Sequence, residues 1–227
     1  MNSSVDLDGP VVAPVSGGAP QQLVVLLHGY GADGNDLIEL APHWARLLPD
    51  AAFISPHAPF PCEASPYGRQ WFGFEGRDNA AIYAGVQEAA GILDRFLDIA
   101  LAHFAVPAER MALVGFSQGT MMALHVAPRR DKAVGGIVGY SGRLIGPEQL
   151  AAEIRSRPPV LLIHGDADPV VPFASMAAAA ATLTALKVPV TTERRPGLPH
   201  AIDPDGLAKG GAFLARVLSG QAAAAKG

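Results

Sequence analysis

Ser117 stands in Gly115-Phe116-Ser117-Gln118-Gly119, a G-x-S-x-G pentapeptide. A serine hydroxyl is a weak nucleophile. It needs a base to take its proton and a carboxylate to orient that base. Both residue types follow in the order expected after such a pentapeptide, acid first and then histidine. Two aspartates, Asp166 and Asp168, lie in His164-Gly165-Asp166-Ala167-Asp168, and of the seven histidines only His200 comes after them. Spacing does not choose between the aspartates. One can serve the base while the other holds the turn or caps the helix that begins near Pro172.

The tetrahedral intermediate of such chemistry carries an oxyanion, which needs hydrogen-bond donors. The backbone N–H of Gln118, directly after the serine, is one candidate. A second is expected from the loop after an earlier strand, where His28-Gly29-Tyr30-Gly31 offers the Tyr30 amide. His28 then reads as a brace for that loop. The two glycines flanking Ser117 are expected because strand and helix nearly touch at so tight a turn.

The elements that must hold these residues alternate along the chain. Strands are expected at Leu23 to Leu27, Ala51 to Ser55, Met111 to Val114, Val134 to Val138, Val160 to Ile163 and near Val188 to Glu193, the central ones as apolar runs of buried-strand length. Helical spacing appears from Leu37 to Leu48, with Pro42 expected to break or kink it. It recurs in a long helix capped by Asp78 or Asn79 with Ile82, Val86, Leu93, Phe96, Leu97 and Leu101 on one face. Further helices are expected over Thr120 to Ala127, about Phe173 to Leu186, and Leu207 to Leu218. Residues 56–76 form a proline- and glycine-rich loop without periodicity that carries Phe60, Tyr67, Trp71, Phe72 and Phe74. The expected fold class is α/β: a mostly parallel sheet with helices on both faces. No insertion is large enough for a cap, so residues 1–227 are read as a single domain. Residues 1–20 form an extension with an edge strand near Val11 to Val15, and 220–227 a flexible tail. The serine, the Asp166 to Asp168 loop, His200 and the His28 loop all follow strands, and ligands gather at that end of an open α/β sheet.

Composition narrows the partners. Hydrophobic residues make up 49% and charged residues 17%, with a net charge of −4 and no basic stripe, which argues against nucleic acid. Cys62 is the only cysteine, so no disulfide or thiolate cluster can form, and it reads as an inert thiol. The histidines lack metal-ligand spacing, so no metal and no cofactor is expected. Residues 1–18 do not combine a basic start with an apolar run, and no stretch has transmembrane length. A soluble, cytoplasmic protein without a stable membrane anchor is the expectation, with the oligomeric state, dimer included, left open.

With these residues in hand, the chain resembles the carboxylesterase, phospholipase and acyl-protein thioesterase family of small α/β-hydrolases. The segments that carry the resemblance are LLHGYGADGNDL (26–37), GRQWF (68–72), VPAERMALVGFSQG (106–119), HGDADPVVP (164–172) and LPHAI (198–202). The resemblance implies an α/β-hydrolase fold without a large lid. It implies Asp168, directly before Pro-Val-Val-Pro, as the acid, and the Tyr30 amide as the second oxyanion donor, at a position where leucine is common. It adds esters, lysophospholipids or S-acylated proteins as substrates. Trp71 and Phe72 are then expected either to wall the acyl site, with Val170 and Val171 opposite, or to pack the loop onto the domain.

The expected activity is that of a serine carboxylesterase. It would cleave short- to medium-chain acyl esters through Ser117, His200 and Asp168 by way of an acyl-enzyme. Acyl-protein thioesterase or lysophospholipase action on the same site is the alternative, a lipid being one form the substrate could take. A binding module that keeps the fold without catalysis ranks last, since no triad member is missing.

Overall fold

The computed structural model describes residues 7–74 and 76–219. The first six residues of the expected extension and the expected tail at 220–227 lie outside the described residues.

Strands β1 (Val11–Val12), β2 (Gln22–Leu27) and β3 (Ala51–Ile54) are followed by a small antiparallel pair, β4 (Phe60–Pro61) with β5 (Arg69–Gln70). The remaining strands are β6 (Met111–Phe116), β7 (Gly136–Tyr140), β8 (Val160–Gly165) and β9 (Val190–Arg195). The main sheet runs β1-β3-β2-β6-β7-β8-β9, and every pairing is parallel except that of β1 with β3. From β2 the chain steps outward to β3 and then crosses back to β6. The strand order therefore reverses between β2 and β6, and a crevice opens at that switch point beyond their carboxyl ends.

Helices α1 (Gly34–Leu37), α2 (Ala41–Ala45), α3 (Asn79–Phe104), α4 (Gln118–Val126), α5 (Pro147–Glu153), α6 (Ala174–Ala185) and α7 (Pro204–Leu218) cover the sheet. Alternate strand residues feed two cores. Leu23, Val25, Leu27, Leu113 and Leu162 pack with α3, α4 and α6. Val24, Leu26, Val114, Val138 and Ile163 pack with α2 and α7 around Trp44. Burial on both faces explains why the central strands read as unbroken apolar runs rather than as alternation. The half-exposed edge strand β9 instead carries Glu193, Arg194 and Arg195, charges that discourage edge pairing.

The structure departs from the sequence expectations in four places. The pattern over residues 37–48 is divided into α1, a 3-10 turn (Ile38–Leu40) and α2, with Pro42 in the first turn of α2, where its missing N–H costs nothing. The strand expected at Val134 begins at Gly136, although the Gly135 N–H already donates to Met111 O of β6 at 2.7 Å. The aromatic loop contains the β4–β5 pair, and α5 has too few apolar repeats to announce itself. Asp78 does cap α3, accepting from the Ala81 N–H at 2.8 Å.

Candidate active site

Strand β6 delivers Ser117 at φ 52° and ψ −113°, a left-handed conformation that costs a non-glycine residue free energy. Close packing enforces it. A Cβ on Gly119 would collide with the Leu27 carbonyl, and one on Gly115 with the backbone of Gly119 and Thr120. The turn is then tied down: Ser117 N–H donates to Tyr140 O at 2.9 Å, and Thr120 Oγ1 lies 2.8 Å from both Gly115 O and Tyr140 O, which share its one O–H. Ser117 keeps 8% of its surface exposed. Helix α4 starts at the next residue with every residue buried, and its first amides have no intrahelical acceptor. Their dipole points at the space above the serine.

Asp168 follows β8 with its side chain fully enclosed, and three N–H groups donate to its carboxylate. Oδ1 accepts from the Val170 and Val171 amides at 2.8 and 2.9 Å. Oδ2 lies 2.7 Å from His200 Nδ1 and 3.1 Å from His164 Nε2. Burial pushes this carboxyl up, but the bonds from His200, Val171 and Val170 together outweigh it and hold the group below its ordinary value. It is therefore an anion at neutral pH. A carboxylate can only accept, so His200 carries its proton on Nδ1 and leaves the Nε2 lone pair available. The same logic puts the proton of His164 on Nε2, which also faces Val171 O at 2.9 Å.

Asp166 has different work. Its Oδ2 pairs with Arg194 and its Oδ1 accepts from the Gly197 N–H at 2.6 Å, which ties the His200 loop to the end of β8. His200 emerges from that loop with its ring 4.9 Å from Phe116, the residue before Ser117. The geometry thus brings His200 to Asp168 and not to Asp166.

The loop after β2 lies beside the serine. A Cβ on Gly29 would sit 3.5 Å from Ser117 Cβ, so the Gly29–Tyr30 backbone runs along the nucleophile turn. His28 holds this loop. Its Nε2 accepts from the Ala58 N–H at 3.0 Å, and its Nδ1 faces Gly29 O at 2.8 Å. Burial lowers its pKa to about 4, so the ring is neutral. Strand β5 clamps the far side of the loop, with Gly31 N–H donating to Arg69 O and Arg69 N–H to Ala32 O.

Trp71 and Phe72, expected as walls of an acyl site, are interior residues with 0% and 1% of their surface exposed. The Trp71 indole N–H donates to His28 O at 3.0 Å. The Gln118 side chain grips both residues, accepting from Trp71 N–H at 2.8 Å and donating to Phe72 O at 2.7 Å. They therefore fix the floor beneath Ser117. Of the four residues expected to wall the site only Val170, 64% exposed, presents surface; Val171 is buried. Of the aromatic residues, Tyr67 is 93% exposed, and the half-buried Tyr30 has its ring 5.5 Å from Phe74. Sequence reasoning missed the Gln118 side chain and His164, although a histidine at a strand end four residues before an aspartate was a readable signal. Among the described residues, no group of three or more histidine, cysteine or acidic side chains is placed to hold a metal.

A parallel sheet with a strained serine between β6 and α4, beside a buried carboxylate–imidazole pair, defines an α/β-hydrolase of the serine class. The sequence profile of the phospholipase/carboxylesterase family matches residues 9–218, and the chain belongs to that family. Esterase YpfH of Escherichia coli is 31% identical over 186 residues, covering 81% of this chain and 77% of that protein. An acyl-protein thioesterase 1 from Gibberella zeae is 28% identical over 212 residues, covering 86% and 90%. The crystal structure of esterase PE8 superposes with a TM-score of 0.90 at 44% identity, covering 94% of this chain and all of that one. The chain is an enzyme, a serine ester hydrolase by family. Among the described residues no helix is long and apolar enough to cross a membrane.

Proposed function

We propose that Ser117, His200 and Asp168 form the catalytic triad of a carboxylesterase that works through an acyl-enzyme. The observation that carries this reading is the His200 Nδ1 to Asp168 Oδ2 bond of 2.7 Å, beside a serine held at positive φ. Ser117 Oγ attacks the ester carbonyl carbon while His200 Nε2 takes its proton, and the anionic Asp168 stabilises the imidazolium. The Gln118 and Tyr30 amides receive the oxyanion. His200 returns the proton to the departing alcohol. Water then attacks the acyl-enzyme with His200 again as base, releasing the acid and restoring the Ser117 hydroxyl. The substrates are short- to medium-chain carboxylic esters, and the whole chain acts as one domain.

Thioesters form a second reading, favoured by the likeness to an acyl-protein thioesterase over most of both chains. The same atoms serve both reactions, since only the leaving group differs. A panel of 4-nitrophenyl esters of rising chain length, run beside an acyl-thioester, separates them. The primary reading expects kcat/KM to peak on an ester of short or medium chain. A thioester hydrolysed far faster than every ester would replace it with the second.

A further inference from the structure

The loop after β7 carries a guanidinium with no acid to answer it. Arg143 is half-buried, and among the described residues no carboxylate lies within ion-pair distance of it. Every other partly buried arginine among the described residues has a partner: Arg69 and Arg110 carbonyls, Arg129, Arg130 and Arg195 carboxylates. A charge withdrawn from water without a partner is costly, so it marks a place where a counter-charge arrives from outside.

Arg143 stands beside the nucleophile. A Cβ on its neighbour Gly142 would lie 3.0 Å from Ser117 O and inside the Thr120 side chain. Its side chain lines a cavity of about 480 Å³ together with Asn79, Ile82, Tyr83, Ile145 and Gln149. This cavity sits at the carboxyl end of the sheet, where β7 ends and α3 begins. Helix α3 also packs on Phe72, whose carbonyl holds Gln118, so cavity and nucleophile turn share a wall. Ile82, Tyr83 and Ile145 suit methylene groups. The buried Gln149 Oε1 has no partner, and rotating that amide would present its NH2 instead. The single acid of the lining, Glu148, is exposed and forms no ion pair.

We propose that this cavity receives a carboxylate carried by the ester substrate, with Arg143 as its bidentate partner. The enzyme would then prefer esters that bear a second, anionic group, such as half-esters of dicarboxylic acids. This rests on Ser117 being the nucleophile. The planar guanidinium fork matches a carboxylate, and in a half-enclosed site such a pair discriminates strongly against a neutral isostere.

The test compares kcat/KM of the full-length protein on matched ester pairs. One pair places a carboxylate or a carboxamide at the end of the acyl chain, as in the 4-nitrophenyl esters of adipic and adipamic acid. The other places it on the alcohol. The charged-to-neutral ratio of the wild type is expected to fall about tenfold in Arg143→Gln for one of the two pairs, which also identifies the half of the substrate that enters the cavity. Arg143→Glu is expected to shift preference toward an ammonium-bearing ester, an effect that misfolding does not produce. Ratios unchanged in both pairs, with no shift in Arg143→Glu, overturn the proposal. Ser117→Ala, run on the neutral esters, keeps the two readings apart. If it stays active the nucleophile is misassigned, whereas unchanged ratios with Ser117-dependent turnover overturn only the role of Arg143.

Discussion

Acidification should destabilise this protein well above the range where carboxylates protonate, because two histidines are buried as neutral rings. Burial lowers both His28 and His125 from 6.5 to about 4. Between those values the unfolded chain binds protons that the folded chain refuses, so stability falls as pH falls. The loss begins near pH 6.5 and is complete near pH 4. At about 1.36 kcal/mol per pH unit, each ring accounts for on the order of 3 kcal/mol across that window. For His28 the structural cause is specific. A proton on Nε2 would face the Ala58 N–H, turning a 3.0 Å bond into a clash of donors beneath the loop that passes Ser117. The assay is urea unfolding at several pH values between 7.5 and 4 for the wild type and His28→Gln, which cannot titrate there. The variant should be less stable at pH 7.5 yet lose about 3 kcal/mol less on the way to pH 4. Parallel stability curves for the two proteins would refute the reasoning. The lowered carboxyl of Asp168 acts in a separate window, since its contribution is present above 3.8 and disappears as pH falls further.

Three substitutions probe the supports of the site. Gly119→Ala forces a Cβ into the Leu27 carbonyl and should cost more than about 3 kcal/mol or prevent folding, read by thermal melting. Gln118→Ala leaves the buried Trp71 N–H and Phe72 carbonyl unpaired and should cost about 2–4 kcal/mol in urea unfolding; a loss below 0.5 kcal/mol would mean that the floor is not held as described. His164→Phe removes the ring that bonds Val171 O and lies 3.1 Å from Asp168 Oδ2, and should lower kcat about tenfold with KM nearly unchanged. An equal rise in KM would point to general loosening instead.

Much of the fold was legible because burial leaves a simple trace. Strands covered on both faces had to be continuous apolar runs, and the glycines at 115 and 119 recorded how closely β6 and β2 approach α4. Chain order placed the serine, the acid loop and His200 at strand ends. Choosing Asp168 over Asp166 was beyond spacing, because the difference is tertiary: Arg194 and Gly197 draw Asp166 toward β9. Trp71 and Phe72 stayed undecided between the two readings for a related reason. An aromatic pair in a proline-rich loop can line a surface or fill a floor, and what decides here is the Gln118 side chain reaching them from 46 and 47 residues away. The contacts of His164 and the unpaired charge of Arg143 likewise exist only once the strands are side by side.

Covalent labelling tests the central claim most directly. A fluorophosphonate should modify the wild-type protein at one residue, found by peptide mapping at Ser117, and ester hydrolysis should stop as labelling completes. Ser117→Ala should take up no label and hydrolyse no ester while keeping the wild-type circular dichroism. Label on another residue, or a Ser117→Ala protein that still turns over esters at the wild-type rate, would contradict the account.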